Sequence, residues 1–232
     1  MDSAAGGPLA DLLRDLQSIF GDRLEALVAY GRPGASRTPS LALVRTLTVD
    51  DLQTCARHVS TWHRAGVSTP LLLARQEFAR SLDAFPIEYG EILDTHRVLF
   101  GANPFQDLSI RAEDLRRACE VQAQSHLLHL RENYVDCGAR PGAVAALVTD
   151  SAPAFGTLLR RVARLDGNAA ATDAELGAYA ASRAGLDPRV VGDVLALAGS
   201  GASAGVDAAR LFPQYLATMD TLAGFIDSWR AN

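Results

Sequence analysis

The sequence predicts a mixed α/β (α+β) domain followed by an all-α helical bundle, and three observations carry that expectation. Residues 27–30 and 41–47 are strand-length apolar runs either side of a segment holding Gly31, Pro33, Gly34 and Pro39. Short apolar runs recur at 70–74 and 98–100, beside turn-forming residues. From Ser109 onward the apolar residues adopt helical spacing and keep it to the end of the chain. The expected domains are therefore residues 1–108 (α/β) and 109–232 (helical). A chain of 232 residues, 48% hydrophobic and 21% charged, is long enough to bury a core in each.

Taken in order, residues 1–7 form a lead. Leu9, Leu12, Leu13, Leu16, Ile19 and Phe20 then trace one face of a first helix, which Gly21 stops. The two runs of the opening hairpin follow. Thr48 or Asp50 caps a second helix, with Leu52, Cys55, Ala56, Val59 and Trp62 on its buried face and Gly66 at its end. Residues 70–74 are a third strand and 75–81 a turn or short helix. Phe85, Ile87, Tyr89, Ile92 and Leu93 suit a further strand punctuated by Glu88 and Glu91, and 98–100 is another that ends at Gly101.

The helical half opens with one long helix over 110–135, whose broad apolar face includes Leu115, Ala118, Val121, Leu127, Leu128, Leu130 and Tyr134. Glu113 and Arg117 form an i,i+4 pair on it. Arg140-Pro141 breaks that helix, and a helical segment over 150–165 follows. Thr172 and Glu175 have capping-box spacing, and Asp187-Pro188 is a cap followed by proline at the first helical position. The run 199–205 reads as a flexible connection, because it follows a helix and lacks the lysine of a phosphate loop. Pro213 should kink or break the last helix, 206–229.

Charge and composition narrow the chemistry. A formal net charge of -5 is the wrong sign for a general nucleic-acid binder. Every basic residue is arginine, so P-loop and Schiff-base lysines are excluded. Cys55, Cys119 and Cys137 have neither zinc nor C-x-x-C spacing and read as reduced thiols. No basic-apolar leader opens the chain and no apolar run approaches the ~18 residues of a membrane span, so a cytoplasmic protein without a membrane partner is expected. His58 and His63 on the second helix, and His126 and His129 at i,i+3 on the long one, read as structural or surface residues and not as metal ligands.

The turn Ala29-Tyr30-Gly31 with its following strand, together with the segments FPIEYGEI and THRVLFG, resembles the nucleotidyltransferase fold of bacterial aminoglycoside nucleotidyltransferase-like proteins. The resemblance implies a Gly-Ser turn that packs on triphosphate and a second strand opening with Asp-x-Asp to hold Mg²⁺. Arg32 stands at the Ser position, Ser40-Leu41-Ala42 stands at Asp-x-Asp, and no acidic residue lies between Glu25 and Asp50. Hard divalent cations that bridge phosphates need anionic oxygen ligands, and this hairpin has none. The expectation is a catalytically degenerate protein, without metal or other cofactor, that binds a nucleotide, a small molecule or a protein in the inherited cleft. Ser40 and Ala42 should then face the mouth of that cleft. Gly31, Arg32, Gly34 and Ser36 are the candidate anion or nucleotide contacts, with Arg37 and Arg45 on the same hairpin and no acid to neutralise them. The alternative is an active Mg²⁺-dependent enzyme with a displaced carboxylate site at Glu88, Glu91 and Asp94, in the densest titratable stretch of the chain.

Overall fold

A computed structural model describes residues 7–31, 37–168, 172–200 and 206–230. The chain forms two compact units, Met1–Arg111 and Ala112–Asn232.

The first unit is a sheet with helices on both faces. Helix α1 (Pro8–Phe20) starts with proline at its first position, where a missing N–H costs nothing, and buries Leu12, Leu16 and Phe20 at intervals of one turn. A short 3₁₀ turn leads into β1 (Leu24–Ala29), which pairs antiparallel with β2 (Ser40–Val44). Helix α2 (Val49–Arg64) begins with the capping box of Thr48 and Asp51. Strand β3 (Leu71–Ala74) runs parallel to β2, followed by α3 (Arg75–Arg80), α4 (Pro86–Thr95) and β4 (Arg97–Phe100), which pairs antiparallel with β1. The strand order is β3-β2-β1-β4.

A register shift between Leu24 and Ala26 decides which side chains face which layer. The bulge at Glu25 puts Leu24 and Leu27 on one face and Ala26 and Val28 on the other. Leu24, Leu27, Ala42 and Val44 pack on Leu12 and Leu16 of α1 and on Cys55 and Trp62 of α2. On the other face Ala26, Val28, Leu41 and Leu43 pack on Phe78 of α3, Tyr89 and Ile92 of α4, and Phe105. Strands covered on both faces read as near-continuous apolar runs, which is why β1 and β2 show no polar alternation. Leu52 and Ala56 are exposed on α2, so its apolar contacts with the core come from Cys55, Val59 and Trp62.

The strand expected over Phe85–Leu93 is instead helix α4. Pro86 takes the first helical position, and Tyr89 and Ile92, three apart, are buried while Phe85 is exposed. As a helix α4 adds Tyr89 and Ile92 to the layer that packs on Leu41 and Leu43 beside Phe78 and Phe105. Gly101, which ends β4, has φ 79°, and a Cβ there would overlap the Glu25 carbonyl oxygen.

The second unit is a bundle of α5 (Ala112–Asp136), α6 (Pro141–Leu165), α7 (Asp173–Ala184), α8 (Pro188–Ser200) and α9 (Ala208–Ser228). Helix α6 is its centre and packs on α5, α7, α8 and α9. By length and composition α6 could cross a membrane, yet Val148, Phe155, Leu158, Leu159 and Val162 are fully buried, as a central bundle helix requires. The capping box of Thr172 and Glu175 starts α7, and the Asp187 carboxylate accepts the Arg189 N–H where α8 begins. On α5 the buried apolar residues are Leu115, Cys119, Ala123, Leu127 and Leu130, whereas Val121 and Leu128, expected inside, are 65% and 61% exposed. Arg116 and Glu120, both half-buried, pair along α5 at 2.7 Å, and Arg117 pairs with Asp114 in place of the expected Glu113. Helix α9 runs unbroken through Pro213, which lies near its start where the lost N–H removes a single turn bond. Of the run 199–205, residues 201–205 lie outside the described residues.

Candidate functional site

The candidate site is the end of the β1–β2 hairpin. Past Ala29 the Tyr30 N–H donates to the Pro39 carbonyl at 3.1 Å, which continues the ladder by one residue. Gly31 then turns the chain with φ 88°, and a Cβ there would stand 3.1 Å from Pro39 Cγ, so both the turn and the proline select glycine. The Gly31 N–H does not point to open solvent. It donates to Thr95 Oγ1 at 2.9 Å, and the Thr95 hydroxyl donates in turn to the Glu91 carbonyl at 2.7 Å. The last turn of α4 is thereby fastened to the hairpin.

Tyr30 is half-buried beside the same helix. Burial, and secondly the Glu91 carboxylate, push its phenol above the ordinary range, so it stays protonated at neutral pH. Of the three acidic candidates on α4, Glu91 is half-buried while Glu88 and Asp94 are exposed. Among the described residues no three His, Cys, Asp or Glu side chains come together as a metal-binding group. Side chains one turn apart on a helix can approach each other, but a hard cation needs ligands that converge from several elements, and none converge on α4 among the described residues.

Ser40 and Ala42 lie on β2 as expected, but neither faces a cleft. Ser40, paired with Ala29, is 1% exposed, and Ala42, paired with Leu27, is fully buried against α1 and α2. The Ser40 hydroxyl oxygen has no hydrogen-bond partner among the described residues. Small side chains at these positions let the helical layer close over the strand.

Arg45 lies away from the Gly31 turn. It follows β2 at the end remote from Gly31, its N–H on the Arg23 carbonyl, and its guanidinium lies 3.7 Å from Glu25, which Arg75 approaches at 3.8 Å. The bulge that turns Glu25 out of the ladder creates this acidic partner, so Arg45 is neutralised and takes no part in the Gly31 turn. Arg37 is exposed. Arg32, Gly34 and Ser36 lie outside the described residues.

The histidines have ordinary partners. His63 lies 3.0 Å from the Thr69 hydroxyl, and His58 stacks on Trp62 with Asp15 3.3 Å from its Nδ1. His126 meets the Tyr215 hydroxyl at 2.7 Å inside the helical unit. No sequence signal pointed to that contact, because the two residues lie on separate helices, α5 and α9.

No protein-family model matches the sequence, and no curated protein sequence matches it. Among solved structures, the chain is similar to the crystal structure of spectinomycin adenyltransferase AAD(9) from Enterococcus faecialis with ATP and spectinomycin. The TM-score is 0.56 at 13% identity, over 95% of this chain and 98% of that one. The likeness establishes the fold: an α/β nucleotidyltransferase-like domain followed by a helical domain.

Proposed function

We propose that this protein is a catalytically degenerate nucleotidyltransferase-fold protein that acts as a binding or interaction module. The observation that carries the reading is β2, which has no carboxylate and is buried along its whole length from Ser40 to Val44. Phosphoryl-type transfer depends on cations and positioning around a dispersed negative charge, and a sealed, acid-free strand offers no ligand to hold them. The Thr95 hydroxyl on the Gly31 amide supports the same reading, since it occupies a donor that a phosphate-holding turn presents to its ligand. The ligand of such a module is a nucleotide, another small anion or a protein, with Arg32, Gly34 and Ser36 as its proposed polar contacts and Gly31 contributing the turn and not its N–H.

A nucleotidyl-transfer assay with ATP, CTP, GTP and UTP, Mg²⁺ or Mn²⁺, and aminoglycosides as acceptors tests the proposal, and no turnover is expected. The second reading, a metal enzyme with a displaced site, is favoured by one observation: Glu91 is half-buried and its backbone is tied through Thr95 to Gly31. Turnover that Glu91→Gln abolishes, with Glu88→Gln and Asp94→Asn measured beside it, would replace the first reading by the second. Calorimetric titration with nucleotides in EDTA then measures binding without metal. Heat lost in Arg32→Ala identifies the hairpin turn as the contact, and no heat with any nucleotide directs the proposal to a protein partner.

A further inference from the structure

The helical unit has an open cleft of about 570 Å³ at the C-terminal end of α9, within the range of small-molecule sites. Leu165, Phe225 and the half-buried Trp229 indole supply its apolar surface. Trp229 is the residue after α9, and its extended backbone, φ -64° and ψ 138°, turns the chain out of the helix. Its ring is then fixed by a hydrogen bond from Nε1–H to Asp166 Oδ1 at 2.7 Å.

Asp166 is the one carboxylate of the lining, and it is fully engaged. Besides the indole, its Oδ2 accepts from the Tyr179 hydroxyl and from Arg183 Nε, both at 3.1 Å, and the Arg183 charge cancels its own. The second arginine of the lining, Arg230, is placed differently. Its Nη1 donates to the backbone carbonyls of Asp227 and Trp229 at 2.9 and 2.8 Å, which orient the guanidinium without neutralising it. The cleft therefore combines an aromatic face with a guanidinium that forms no ion pair among the described residues. An adjoining cleft shares Trp229 and Arg230, and its lining sets the three arginines Arg116, Arg117 and Arg230 against the three carboxylates Glu113, Glu120 and Asp227. That gives room for a substituent without further charge preference.

We propose that this cleft binds a planar aromatic molecule carrying a carboxylate or phosphate, its ring against Trp229 and its anionic group on Arg230. Ring stacking and a forked guanidinium–oxyanion contact are each of moderate strength, and preorganisation by Asp166 reduces the ordering cost of using both. The site does not rest on the N-terminal reading, since every residue in it belongs to the helical unit.

Calorimetric titration of the full chain with indole-3-acetate and with AMP tests it, using indole and inorganic phosphate as single-feature controls. At least one aromatic anion should bind with a dissociation constant below about 1 mM, and about tenfold tighter than either control. Which of the two probes binds more tightly distinguishes a carboxylate from a phosphate ligand. Arg230→Met should weaken binding about tenfold and leave folding intact, because Arg230 bonds only carbonyls of its own turn. Trp229→Ala should remove binding as well, but it also loses the Asp166 bond, so Arg230→Met is the deciding variant. Absence of binding by both aromatic anions, or binding unchanged in Arg230→Met, overturns the proposal.

Discussion

Arg23 grips Asp51 with both prongs of its guanidinium, Nη1 on Oδ2 and Nη2 on Oδ1, each at 2.7 Å. The same carboxylate accepts the N–H and the hydroxyl of Thr48, so one buried side chain caps α2 and ties it to the turn before β1. The Arg23 hydrogen bonds, opposed by burial and aided by Thr48, hold the Asp51 carboxyl far below the usual range. Asp51→Ala should destabilise the protein by about 1–2 kcal/mol, the cost of a lost cap. With the native pKa depressed, the unfolded chain binds protons first on acidification. The stabilisation is thus complete at neutral pH and declines below about pH 4, where the unfolded carboxyl titrates. Thermal melts from pH 7 to pH 2 check this, and the variant should lose less stability than the wild type across the acid limb.

Gly101 cannot carry a side chain. Its φ of 79° disfavours one, and a Cβ would meet the backbone at Glu25 and Ala26, inside the sheet, where no flexible neighbour can yield. Gly101→Ala should cost more than the roughly 1 kcal/mol of a left-handed alanine alone, and 2–3 kcal/mol is the expected order. Denaturant unfolding measures it. Gly142→Ala is the control, since nothing lies within 4 Å of a Cβ at that position and its φ is not in the left-handed range.

His126 should make the helical unit acid-sensitive. Burial, then the neighbouring His129, lowers its pKa in the folded state. Below about pH 6.5 the unfolded chain takes up the proton more readily, so stability falls with pH until the native histidine also titrates. Urea midpoints at pH 7.5 and 5.5 should differ less in His126→Gln than in the wild type. Tyr215→Phe removes the 2.7 Å contact and should cost about 1 kcal/mol at pH 7.5.

The three thiols should react in a fixed order. Burial, and then the Asp51 charge, raises Cys55, and burial pushes Cys119 up to about 12 against a smaller opposing effect of Arg161. Cys137 is only half-buried. Titration with a disulfide reagent under native conditions should find one fast thiol per chain, which Cys137→Ser removes. The other two should react only on unfolding.

Local features were legible wherever a short stretch decides its own structure. The caps at Thr48 and Thr172, the proline opening α8, and the apolar strands β1 to β4 depend on neighbours a few residues away, whereas α6 starts at Pro141, ahead of the helix expected over 150–165. Helix α4 was misread because Ile87, Tyr89, Ile92 and Leu93 fit a strand nearly as well as a helix. Val121 and Leu128 were misplaced because the residues that choose between the faces of α5 lie on α6 and α9.

From its residues alone, this chain declares a hairpin ending in Gly31, a β2 without acids, and a helical second half. Backbone propensity, chain stiffness and the identity of ionisable groups are properties of the sequence that need no partner. Burial, pairing and charge cancellation belong to the assembled chain, and they decided the rest. Packing by α1 and α2 sealed Ala42, and the bulge at Glu25 brought a carboxylate to Arg45. The turn after α9 set Trp229 on Asp166 and the Arg230 guanidinium on carbonyls of its own turn. Each of these joins residues far apart in the chain, and such contacts follow only from how the folded layers meet.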